Sequence, residues 1–134
     1  IGQGIQLKKG KTLAVLSVGA IATTIEESIL NSDHNEVISQ YDMRFVKPLD
    51  AHLLHNIFTT YSEIVTVEDG SISGGFGSAI LEFAALNNYK IPVKTLGIPD
   101  QFIEHASVKQ QHQSVGIDVE NLTVLFSSIA LRLK

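Results

Sequence analysis

Strand-like and helix-like hydrophobic periods alternate along this chain, which restricts it to folds assembled from βαβ units around a mostly parallel sheet. Thr12–Ser17 (TLAVLS) is a nearly continuous apolar run closed by Gly19, the pattern of a strand buried on both faces. Ile21, Ile25 and Ile29 recur every four positions with Glu26 and Glu27 on the other side, predicting a surface helix to about Leu30. Val37–Phe45 alternates apolar and polar residues, which predicts a second strand covered less completely than the first. Beyond Pro48, Asp50 is placed to cap a helix from Ala51 to about Tyr61 that buries Leu53, Leu54, Ile57 and Phe58. Ile64–Val67 predicts the third strand. Phe76, Ala79, Ile80, Phe83 and Leu86 form a helical stripe that stops at Asn87 and Asn88, and Pro92–Leu96 predicts a fourth strand. Ser107 and Gln110 fit a capping box, with Gly116 placed to end the short helix they open. Asp118 then caps a last helix whose Val119, Leu122, Phe126, Ile129 and Leu133 share one face.

The expected organisation is a single α/β domain over 1–134, long enough to bury a core without disulfides or metals. With no Cys, disulfides, thiolate metal sites and a Cys nucleophile are excluded together. Ten Lys and Arg against fourteen Asp and Glu give a net charge of −4 without a basic run, which removes the phosphate attraction that nucleic-acid binding requires. No apolar stretch reaches the ~18 to 20 residues of a membrane span and no signal peptide is legible, so the expectation is a soluble, cytoplasmic chain. A start at Ile1 rather than Met suggests a piece of a longer protein.

Several groups invite a chemical reading. The cluster Gly70–Ser78 (GSISGGFGS) lies between a strand and a helix, where open α/β sheets hold ligands, yet it has no phosphate-loop Lys and no G-x-G-x-x-G spacing, and Glu68 and Asp69 would repel a phosphate. A tight turn and close helix packing are therefore the primary roles read for Gly74, Gly75 and Gly77, with a contact to another domain second, a contact for which Glu68 is also a candidate. Glu68-Asp69-Gly70 followed by Asn87-Asn88 is similar to the magnesium motif of thiamine diphosphate enzymes, but its first Gly is Glu and its spacing is short. His52 and His55 stand three positions apart on the helix after Asp50 without an evident third ligand; solvent exposure is the plainer reading. His105 beside Glu104 is conceivable as a general base, but capping or solvation is the plainer role. Ser17, Ser71, Ser73 and Ser78 lack a G-x-S-x-G setting. Arg44 and Lys47 leave the second strand together and suit an anion, a partner carboxylate or ordinary ion pairing. No residue is assigned a catalytic, cofactor-binding or metal-binding role.

The succession IGQG at 1 to 4, TLAVLS with Gly19, DMRFVKPLD at 42 to 50, VTVEDGSISGGFGSAI at 65 to 80 and LGIPDQFIEHAS at 96 to 107 resembles one family throughout. That family is the C-terminal domain of the 1-deoxy-D-xylulose-5-phosphate synthases, thiamine diphosphate enzymes of transketolase type. The resemblance implies a three-layer α/β fold: a mostly parallel, roughly five-stranded sheet with one antiparallel edge strand and helices on both faces. It implies a parent that condenses pyruvate with glyceraldehyde 3-phosphate, releasing carbon dioxide, for isoprenoid and thiamine biosynthesis. Thiamine diphosphate and magnesium would sit in upstream catalytic domains, leaving this part inert alone, its role to pack on those domains and support a homodimer. The alternatives are a free-standing α/β module that binds a small anion, and the equivalent domain of transketolase or a pyruvate dehydrogenase beta subunit.

Overall fold

A computed structural model describes residues 2–69, 75–97 and 107–134. Its elements in order are β1 (Ile5–Lys8), β2 (Leu13–Val18), α1 (Ala22–Asn31), a 3₁₀ turn (Asn35–Val37), β3 (Ile38–Asp42), α2 (Ala51–Thr60), β4 (Glu63–Glu68), α3 (Phe76–Leu86), β5 (Val93–Gly97), α4 (Val108–Val115) and α5 (Val119–Leu133). The five strands form one sheet in the order β1-β3-β2-β4-β5. β2, β3, β4 and β5 run parallel, and β1 pairs antiparallel with β3 at the edge.

Every residue of β2 is buried, and its period of two feeds two separate cores. Leu13 and Val15 face one side with Ile25 and Ile29 of α1 and Leu122, Phe126, Ile129 and Ala130 of α5. Ala14, Leu16 and Val18 face the other with Leu54, Ile57 and Phe58 of α2 and Phe76, Ile80 and Ala84 of α3. Helices thus cover both faces, as the family resemblance implies.

Four details differ from expectation. Ile38, Ser39, Gln40 and Tyr41 of β3 are all buried, because β1 covers that flank and the polar residues find partners: Gln40 donates to the Ala22 carbonyl, and Ser39 and Tyr41 both bond the Tyr61 hydroxyl. Leu86 is 75% exposed, and Ala84 takes the buried place in the α3 stripe. Asp118 occupies the N-cap of α5, but its carboxylate accepts from the Asn121 side chain instead of a backbone N–H. The segment Val108–Leu133 does have the length and hydropathy of a membrane-crossing helix. It is nonetheless two helices, broken at Gly116 with φ 79° and separated by Asp118, and one face of α5 lies in the core. The capping box of Ser107 and Gln110 and the Asp50 cap of α2 both form as expected.

Candidate functional site

In a parallel sheet, strand C-terminal ends and the following helix N-termini gather along one edge, and ligands favour the point where strand order reverses. Here that point lies between β2 and β4, since the chain crosses from β2 to β3 on one side and returns to β4 on the other. Gly19, with φ 91°, leaves β2 there, and Glu68 ends β4.

The Glu68 carboxylate accepts the backbone N–H of Gly77, in the first turn of α3, at 2.8 Å. A helix N-terminus is a ready anion seat, and at α3 the chain's own carboxylate is in it. The approach depends on two glycines. A Cβ on Gly77 would stand 3.0 Å from Thr95 Cγ2 and 3.2 Å from Thr66 Oγ1; one on Gly97 would stand 2.8 Å from Glu68 Cγ. Gly75 is the N-cap with φ −125°, an ordinary backbone conformation, and Gly74 lies outside the described residues. Glu68 and Gly77 are therefore engaged with each other, which weighs against a small-anion module built on this turn.

The magnesium-like motif separates in space. Asp69 follows the end of β4, whereas Asn87 caps the far end of α3, where its side chain donates to the Phe83 carbonyl at 2.9 Å. α3 has eleven residues, so about 16 Å divides its ends. Among the described residues no three His, Asp or Glu groups converge as metal ligands. The pieces present do not fit a magnesium diphosphate group. His52 and His55 are exposed, and His55 Nδ1 lies 2.5 Å from the Tyr89 hydroxyl. Ser17 is fully buried and Ser78 exposed, while Ser71, Ser73, Glu104 and His105 fall outside the described residues.

Arg44 and Lys47 are both exposed, in the loop that leaves the C-terminal end of β3. Asp50, at the loop's end, does double work: Oδ1 caps α2 through Leu53 N, and Oδ2 accepts the N–H of Gly4 at 2.9 Å. The GQG and DMRFVKPLD blocks, remote in sequence, are thereby one structural unit.

Residues 2–122 match the family described as transketolase, C-terminal domain. The chain belongs to that family. It is 45% identical over 124 residues to the 1-deoxy-D-xylulose-5-phosphate synthase of Phocaeicola vulgatus, covering 91% of this chain and 20% of that one. Against the Bacteroides fragilis synthase the identity is 43% over 135 residues, 99% of this chain and 21% of the relative. The chain thus spans about one fifth of the curated relatives it matches, their C-terminal portion. Among solved structures, a split gene transketolase described as an inactive beta4 tetramer superposes with a TM-score of 0.80 at 27% identity, covering 99% of this chain and 43% of that one.

This transketolase C-terminal domain also holds contacts that the sequence does not announce. Glu63, nearly buried at the start of β4, takes a bidentate bond from Arg132 near the end of α5, at 3.0 and 3.3 Å, and that carboxylate raises the arginine's pKa. The partners are 69 positions apart, and no local spacing pairs them. Lys8 donates to the Asn35 and Ile38 carbonyls, and its desolvation there lowers its pKa while Glu36 opposes the shift.

Proposed function

We propose that this chain is the C-terminal domain of a 1-deoxy-D-xylulose-5-phosphate synthase and that its contribution to that enzyme is structural. The observation that carries the reading is identity of 43 to 46% to such synthases along nearly the whole chain, against 27% to the split gene transketolase on the same fold. The parent would condense pyruvate with glyceraldehyde 3-phosphate, with loss of carbon dioxide, for isoprenoid and thiamine precursors in the cytoplasm. Thiamine diphosphate and magnesium would be held by preceding domains, since Glu68 and Asn87 of the magnesium-like motif are bonded within the fold. This domain would pack on those domains and support a homodimer.

The test takes the isolated chain and the longer polypeptide side by side. Calorimetry with thiamine diphosphate and magnesium, and an assay for pyruvate decarboxylation, should be silent for the chain and positive for the longer protein. Stoichiometric cofactor binding by the chain would overturn the division of labour, and a longer protein without glyceraldehyde 3-phosphate-dependent turnover would overturn the assignment.

A further inference from the structure

Arg44 is one of three non-glycine residues, with His34 and Asn88, that the described chain holds at positive φ. Its φ is 66°, the left-handed region in which a side chain is strained, and the Phe45 N–H donates across it to the Met43 carbonyl at 2.7 Å. That is a γ-turn of the positive-φ form, the rare and strained one. The neighbours enforce it. Met43 is fully buried and its N–H donates to the Ser17 carbonyl at 2.8 Å, while the Arg44 N–H donates to the Asp42 carboxylate at 2.9 Å. The guanidinium so presented is exposed and bonds nothing among the described residues, and neither does the Lys47 ammonium three positions on. What sets Arg44 apart from the chain's other exposed cations is the strained turn that carries it.

The position of the turn says what meets it. Gly4 is tied to Asp50, and a Cβ on Gly2, which has φ 73°, would stand 3.2 Å from Pro48 Cγ, so residues 2–4 lie along the same loop. In the curated synthases the matching region is the C-terminal fifth, so on that reading the preceding polypeptide would join this fold at residues 2–4, along the loop that Arg44 and Lys47 begin.

We propose that the Arg44–Lys47 turn is the docking surface for the preceding domains, with Arg44 gripping a carboxylate on them, and that the strain in Arg44 is retained for that contact. This rests on the reading of the chain as the C-terminal part of a longer synthase. It separates Arg44 and Lys47 from Glu68 and Gly77, whose bonds are internal.

The experiment compares Arg44→Gly, and the pair Arg44→Gly with Lys47→Ala, in two settings: the 134-residue chain and the full-length polypeptide. In the isolated chain, Arg44→Gly should raise Tm by about 3 to 6 °C, because glycine takes positive φ without strain. In the full-length protein the double variant should do the reverse, splitting a joint melting transition into two and raising the rate of proteolysis just before residue 2 at least tenfold. Arg44→Glu, a charge reversal at the same strained position, should split the transition further, and high salt should imitate it in the parent. Equal stabilisation in both settings, with one unchanged full-length transition, would overturn the docking surface even where cofactor binding and turnover stand. A full-length protein lacking thiamine diphosphate binding would instead overturn the underlying reading.

Discussion

Gly77 is a position where one added methyl group meets two neighbours at once, Thr95 on β5 and Thr66 on β4, at 3.0 to 3.2 Å. Alanine would gain about 1 kcal/mol of helix propensity and lose part of it to crowding. Valine would gain less and crowd more, so Gly77→Val should destabilise the domain by roughly 1 to 3 kcal/mol, the range for overpacked sites. Thermal denaturation reads the loss, and in the full-length protein single-turnover kinetics should stay at the parent value. A stable variant with a slowed chemical step would show that this turn reaches the reacting groups. Gly75, at φ −125°, has a backbone conformation that does not itself call for glycine.

At the scale of elements, β1 is fastened by its antiparallel ladder to β3 and by a chain of hydroxyls that Gln6 joins. Gln6 donates to the Tyr41 hydroxyl at 3.0 Å, Tyr41 and Tyr61 share a bond of 2.8 Å, Tyr61 meets Ser39 at 2.6 Å, and the Gly10 N–H donates to Ser39. Burial, and then the bond and charge of Tyr61, push the Tyr41 phenol well above its usual pKa. A tyrosine whose folded pKa is raised lends stability that is complete below the unfolded value, about 10, and is lost as the pH climbs above it. Urea midpoints at pH 8 and pH 11 should therefore fall for the parent chain, and fall less for Tyr41→Phe. An equal fall in both would place the alkaline sensitivity elsewhere. The Glu63–Arg132 pair ties α5 to β4 in a similar way, across 69 positions.

For the whole molecule, the direction of the chain through the sheet separates groups that the sequence places near one another. β4 delivers Glu68 and Asp69 to one edge and α3 carries Asn87 back toward the other. Asp69→Ala combined with Asn87→Ala should leave magnesium affinity of the full-length protein unchanged, with about 1 kcal/mol or less of stability lost through the helix-end bond. Isothermal titration checks it: a tenfold weaker magnesium affinity with the fold intact would show that these groups converge on a metal.

The sequence by itself determined the order and kind of most elements, because hydrophobic period, caps and breakers are local: Asp50 starts α2, Ser107 with Gln110 starts α4, and Gly116 ends it at φ 79°. It also carried the family, through the GQG, DMRFVKPLD and VTVEDG blocks, and with the family the antiparallel edge that no periodicity in Ile5–Lys8 reveals. The strained γ-turn under Arg44 was not legible, since positive φ at an arginine is imposed by Met43, Asp42 and Ser17 rather than chosen by the residue. Nor was the seat of Glu68, read from sequence as a charge that repels phosphate and as a candidate contact to another domain. Tertiary structure alone decided that this carboxylate faces the start of α3, because a hydrogen bond across nine positions depends on how β4, β5 and α3 stack, and that stacking depends on the missing side chains of Gly77 and Gly97.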